Sequence, residues 1–161
     1  MNNRVAVNLL LILLIGLLGL LLWWSQPDAL PPLTELDPHQ ISRITINDLQ
    51  GREIALARSQ DRWMSGSQAA DQSRVRQLLQ ICRTPSLRRF DAPDDLQPYG
   101  LAPAPLVMRL DDAILMFGDN DPLNGWRYVH YLGEVHLIAD GFYHHLVAPP
   151  EAWLAETAGR P

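Results

Sequence analysis

The sequence contains no lysine: all thirteen of its cationic side chains are arginine, set against eighteen aspartates and glutamates for a formal charge of −5. That sign argues against nucleic acid as a partner, because phosphate binding draws on a basic patch. A bias in genome composition accounts for the missing lysine, while arginine also suits bidentate contacts with carboxylates. There is one cysteine, Cys82, so no intramolecular disulfide can form. Metal and nucleophile signatures are missing too. No HExxH pairs two histidines on a helix face, and neither Ser65 nor Ser67 sits in a G-x-S-x-G elbow.

What the sequence does have is one long apolar run, VAVNLLLILLIGLLGLLLWW, from Val5 to Trp24. Twenty residues at about 1.5 Å each give a helix of about 30 Å, the thickness of a bilayer's hydrocarbon core. Arg4 precedes the run, and the residues that follow it up to Ser42 hold Asp28, Glu35 and Asp37 but no arginine. The positive-inside rule therefore predicts a helix that crosses a lipid bilayer from Val5 to Trp24 with a cytoplasmic N-terminus and the remainder outside, with Trp23 and Trp24 at the outer interface. The competing reading is a cleaved signal peptide, which needs a small-x-small site. Leu22-Trp23-Trp24-Ser25-Gln26 offers none, and no cysteine follows as a lipidation site.

Beyond the anchor (residues 1–24), residues 25–40 carry four prolines and no hydrophobic period, which predicts an extended stalk. Residues 41–161 hold enough chain for one domain. Ile44 and Ile46 alternate with polar residues, Gln50-Gly51 turns the chain, and REIALARS returns, a hairpin pattern. A short strand follows at Arg62-Trp63-Met64. Asp71 is placed to cap a helix whose apolar face is Val75, Leu78, Leu79 and Cys82, so burial of the thiol is favoured over a reactive role. SLRRF reads as a further strand, and the proline-rich segment DAPDDLQPYGLAPAP as an irregular connection. LVMRL, a turn at Asp111-Asp112, and AILMFG form a second hairpin whose return strand, apolar on both faces, predicts a central strand covered on both sides. WRYVHYL and VHLIA follow, joined through a turn at Gly133-Glu134, and Asp140 is placed to cap a short C-terminal helix. The fold class is α+β: a mostly antiparallel sheet with one main helix and a short terminal one. Residues 43–83 and 106–147 share an order of elements, including the Ala70-Asp71 and Ala139-Asp140 steps, consistent with a degenerate β-β-β-α repeat.

These residues resemble a known family. An N-terminal anchor, LTELDPHQISRITI, the helix ADQSRVRQLL, Tyr99-Gly100-Leu101, Phe117-Gly118-Asp119 and the hairpin into VHLIAD are similar to the uncharacterised bacterial family "domain of unknown function 4340" over about residues 33–147. The resemblance implies a membrane-anchored envelope protein, here one of the bacterial inner membrane with a periplasmic domain, some members being associated with ABC-type transport or gliding-motility components. It implies no enzymatic residue.

Candidate chemistry is thin. Asp119, Asp121 and Asn124 offer hard oxygens, but an EF-type loop counted from Asp119 puts Asn124 where glycine belongs and His130 where glutamate belongs. His130, His136, His144 and His145 cluster late in the chain without converging spacing, and Asp94-Asp95 and Asp111-Asp112 read as solvated turn acids. No catalytic, metal or cofactor residue is assigned on these patterns. The candidate partner surface is Trp126, Tyr128 and His130, on one strand face at period two, together with Arg88 and Arg89. The Trp126 row either contacts a glycan or protein, or packs beneath the helix. The sequence therefore predicts a non-enzymatic, single-pass envelope protein whose domain is an interaction or scaffold module for an envelope protein partner. The alternatives are a small-molecule or glycan-binding domain and, behind it, a hydrolase.

Overall fold

The computed structural model describes residues 3–24 and 29–155, so the start of the expected stalk at 25–28 and the expected fraying tail at 156–161 lie outside it. Helix α1 (Asn3–Trp24) is long and apolar enough to cross a membrane, and none of its hydrophobic window is buried against the described chain. A signal sequence at an N-terminus meets the same criteria of length and composition. Water is a poor solvent for such a surface in either case.

The remainder is α+β, as its periodicity requires. Nine strands form one antiparallel sheet: β1 (Arg43–Asp48), β2 (Glu53–Ser59), β3 (Arg62–Ser65), β4 (Gln68–Ala69), β5 (Arg88–Asp91), β6 (Leu106–Leu110), β7 (Ala113–Asn120), β8 (Arg127–Tyr131) and β9 (Glu134–Ile138). Their spatial order is β4-β3-β2-β1-β6-β7-β8-β9-β5. Two four-stranded meanders thus meet through their first strands, β1 and β6, which pair antiparallel. The segment after each meander's helical turn then crosses to the other meander's edge: β5 pairs with β9, and Leu154 bridges Ala70 beside β4. The two-residue β4 is the counterpart of β9, so both halves carry four strands.

Alternation within the strands sets the core. Ile44, Ile46, Ile54, Leu56, Met108, Leu115, Phe117 and Val129 point to one face and are almost fully buried. Helix α2 (Gln72–Leu79) covers that face with Val75, Leu78 and Leu79, and tightens into a 3-10 turn that buries Ile81 and Cys82. The Asp71 carboxylate accepts hydrogen bonds from the backbone N–H of Ser73 and Arg74. Chiefly the bond from Arg74 holds its pKa below the ordinary value. Burial pushes the Cys82 thiol pKa up. Helix α3 (Tyr143–Leu146) adds Leu146, and the following turn adds Trp153, fully buried.

Four expectations change in detail. Strand β7 is covered on both faces only along part of its length: Leu115 and Phe117 are buried on the helix face, whereas on the other Gly118 is buried, Met116 is half-buried and Ile114 is exposed. The β8–β9 turn is centred on Leu132-Gly133, since Tyr131 pairs with Glu134 and both central residues have positive φ. Asp140 does not cap α3. Its carboxylate is taken instead by the buried Arg127, through Nε and Nη2, and by Asn120. Finally, part of the segment read as a stalk is docked on the domain. Leu33 and Thr34 are buried, and the Leu33 N–H donates to the Thr84 carbonyl while the Ser86 N–H donates to that of Pro31. An apolar residue between prolines can dock because an extended backbone is free to bridge a neighbouring strand.

Candidate functional site: an aromatic cleft on the open sheet face

The sheet face away from α2 is polar and solvated across the first meander, where Arg43, Asn47, Glu53 and Arg62 are exposed. Across the second meander it is apolar. Val135 and Leu137 are buried there, outside the main core, and the connection between β5 and β6 lies over this half with Leu101 buried.

Two glycines fasten the connection. A Cβ on Gly100, whose φ is +66°, would stand 2.8 Å from the backbone nitrogen of Asp119 and closer still to its carboxyl group. A Cβ on Gly118 would overlap the Tyr99 carbonyl oxygen and stand 2.9 Å from Leu101 Cγ. Tyr99-Gly100-Leu101 and Phe117-Gly118-Asp119 are therefore one packed junction. Its consequence is the position of Tyr99, whose ring meets Phe90 at 5.5 Å and Tyr128 edge-on at 5.0 Å.

Sheet register completes the site. Leu137 faces Arg88 on β5 and Tyr128 on β8, so one row across three strands carries a guanidinium, a leucine and a phenol. Trp126 precedes β8 on the same side. Together with Phe90, Tyr99 and the β7–β8 loop these residues line an open cleft of about 350 Å³. The loop supplies Asp121, Leu123 and Asn124. The Asp121 carboxylate accepts from the Asn124 backbone and side-chain amides at 2.9 and 2.8 Å, and from the Tyr128 hydroxyl at 3.4 Å. Burial pushes the Asp121 pKa up, but these donors outweigh it and leave it below the ordinary value. Burial and the Asp121 charge raise the Tyr128 pKa, so the hydroxyl stays a donor. Among the described residues the Arg88 guanidinium makes no hydrogen bond or ion pair; only the Arg88 carbonyl is engaged, by the Ser86 hydroxyl and the β5–β9 pairing. The five N–H groups of the guanidinium are available to an acceptor.

Of the surface residues the sequence singles out, Trp126, Tyr128 and Arg88 meet in this cleft. His130 lies one row along the same face, between Met116 and Val135, and does not line it. Arg89 belongs to the opposite face, opposite His136, with Glu134 3.7 Å away. Phe90, Tyr99 and Asp121 were not assigned to a site from the sequence. The one signal for Tyr99 was its place in the Tyr-Gly-Leu motif.

Two other recesses are built differently. One of about 330 Å³ contains Arg52, whose guanidinium binds Asp48 and the carbonyls of Leu146, Val147 and Ala148 and so closes the end of α3. The other, about 190 Å³, lies between the docked segment at Pro31–Glu35 and residues Arg89, Tyr131, Leu132, Glu134 and His136. There His136 Nδ1 is 2.9 Å from Ser86 Oγ, and Nε2 is 3.7 Å from Glu134. The Ser86 hydroxyl is buried and also bonds the Arg88 carbonyl, so this serine cannot reach a substrate as a nucleophile. No group of three His, Cys, Asp or Glu side chains converges on a metal-sized site among the described residues.

Compared with family models, curated proteins and solved structures, the chain matches none.

Proposed function

We propose that this is a single-pass, membrane-anchored envelope protein whose periplasmic domain is a non-enzymatic recognition module, and that the aromatic cleft holds its ligand. The observation that carries the reading is the cleft itself, where four aromatic rings converge with an unpaired guanidinium on a face the helices leave open. Such a lining suits a ring-bearing ligand with an anionic or acceptor group, as in an acidic glycan or a small carboxylate: rings stack and Arg88 orients. The state of the polar groups supports binding over catalysis. Asp121 is ionised and already engaged by three donors, so it has no proton to give and little basicity to offer.

A protein partner is the second reading, and Leu123 favours it. This leucine stands at the rim, 88% exposed, where a partner surface would bury it. Membership of the family named above, with a link to a transport-type complex, is part of the proposal. It draws support from α1 and from the packed junction of the two glycine motifs.

The test is a photo-crosslinking amino acid at position 123 of the full-length protein in intact cells, with position 60 as a control at the far end of the sheet. A glycan or small-molecule adduct at 123 that Trp126→Ala abolishes supports ligand binding, and a protein adduct with the same dependence supports the second reading. Equal labelling at 60 and 123 would count against the cleft in both.

A further inference from the structure

We infer that the tip of the β8–β9 hairpin, with Leu30 and Pro31, is a second contact surface, and that it seats on the headgroup region of the bilayer that α1 crosses. The inference rests on the anchor reading above. Leu132 occupies the first central position of a two-residue turn with φ +48°, and Gly133 follows at +81°. Turns of this hand favour asparagine, aspartate or glycine there, because a Cβ crowds the carbonyl in the left-handed region. Among the described residues the other non-glycine positions with positive φ are Gln60, Asp61 and Asp111. Leucine is the hydrocarbon among them, and it is 81% exposed. An exposed aliphatic side chain held in an unfavourable conformation gains nothing from water, and with Leu30 and Pro31 beside it an adjoining apolar phase would bury it.

The tether identifies that environment. Pro31 and Leu132 line the same recess, so the hairpin tip lies beside the point where the chain leaves the domain toward α1. Four residues separate Trp24 from Ala29. At full extension they span roughly 18 Å, which keeps this corner near the outer interface occupied by Trp23 and Trp24. Leu30 is itself 50% exposed; Arg89 on the same recess is 3.7 Å from Glu134, and Glu35 lines it too, so the contact is carried by the apolar side chains and not by charge. The polar tips at Gln60-Asp61 and Asp111-Asp112 share the sheet end but lie five and two strand spacings away in the sheet order. At about 4.8 Å per strand these are roughly 24 and 10 Å, which lets the β8–β9 corner touch lipid while the acids stay in water. The aromatic cleft opens at the other end of β8, pointing away from the bilayer.

The experiment uses the full-length protein in phosphatidylcholine–phosphatidylglycerol vesicles containing lipid spin-labelled near the headgroup. An environment-sensitive fluorophore is attached in turn to Leu132→Cys, Leu123→Cys and Leu22→Cys, with buried Cys82 protected from labelling. Quenching and a blue shift at 132 but not at 123 are expected, with 22 inside the lipid. An aqueous 132 with 22 in lipid would overturn the inference and leave the anchor intact, whereas an aqueous 22 would remove both. Lipid signals at 132 and 123 alike would mean that the dye partitions by itself, and the inference would fall. As a check free of the dye at the tip, a label on Leu30→Cys loses quenching when Leu132→Asp is added. Unchanged quenching there would also overturn the inference.

Discussion

Replacing Gly118 by alanine tests the junction on which the cleft depends. The φ of Gly118 lies outside the left-handed region, so alanine meets no backbone penalty there and the whole cost is steric. The new methyl would overlap the Tyr99 carbonyl and stand 2.9 and 3.1 Å from Leu101 Cγ and Cδ2. Carbon atoms settle at about 3.5–4.0 Å, so Leu101 must withdraw by roughly 0.6 Å or more, and the Tyr99 backbone, which is overlapped more deeply, must withdraw farther. Leu101 is 1% exposed, and any withdrawal loosens a packed contact. Overpacking of this kind costs about 1–3 kcal/mol, and the backbone contact places Gly118→Ala near the upper end. For a domain of this size, a loss of about 2–3 kcal/mol lowers Tm by roughly 8–12 °C. The assay is thermal unfolding of the full-length protein in detergent, followed by tryptophan fluorescence. Gly141→Ala is the control, because nothing lies within 4 Å of its added Cβ and its φ is not positive. That variant should unfold like the wild type or slightly later. If Gly118→Ala melted within about 2 °C of the control, a shift worth under 1 kcal/mol, the connection would not be seated as described and the cleft would lose its wall.

Other perturbations have signs fixed by the same geometry. Leu132→Asn should raise domain stability in detergent by about 0.5–1 kcal/mol, since asparagine tolerates the left-handed conformation, while weakening membrane contact; chemical denaturation and the vesicle assay read the two effects separately. Asp140→Leu should cost about 3 kcal/mol, because it strands the buried Arg127 guanidinium, which would keep only the Gly118 carbonyl and the Tyr143 ring; the Tm of the single variant and of Arg127→Met/Asp140→Leu checks it, the pair recovering part of the loss. Burial lowers the His136 pKa in the folded state, so its contribution is full above the unfolded value of about 6.5 and is lost as pH falls through the folded one. His145 is lowered too, mainly by burial and secondarily by His144, and acts in the same direction. Melting between pH 7.5 and 5 should therefore show a decline that His136→Gln makes shallower, and an unchanged slope would place the linkage elsewhere.

Much of the fold was legible because its signals are local. Period-two alternation marked β1, β2 and β6, and one capped apolar stripe marked α2. Reading failed where the deciding partner is distant in sequence. Asp140 looks like a helix cap until Arg127 is seen to hold both its oxygens. Leu33 looks like a stalk residue until the Thr84 carbonyl is seen to receive its N–H. Strand β7 looks doubly covered, since apolar side chains on its second face give no sign that only the part beneath the connection is shielded. For the site, period two correctly put Tyr128 and His130 on one face. It could not say which row the connection would roof, and that row decided that Tyr128 lines the cleft while His130 does not.

The two halves of the sheet make the position of the cleft intelligible. They share strand order, an Ala-Asp step and an exchange of end segments, as two copies of one ancestral unit would. What differs is what each does with the same places. Asp71 caps α2, whereas the equivalent Asp140 anchors Arg127 beneath the β7–β8 loop. The open face is solvated in the first half but apolar in the second, where the connection between the halves folds back over it. Burial of Val135 and Leu137 accounts for the covering and its two glycines, but not for the unpaired Arg88 guanidinium and the rings beside it. Places where a chain departs from its own regular pattern are where a functional site is expected. The two proposed contact sites, the cleft and the Leu132 tip, both fall in the second half at opposite ends of β8, and on that reading the first half is the frame that holds them.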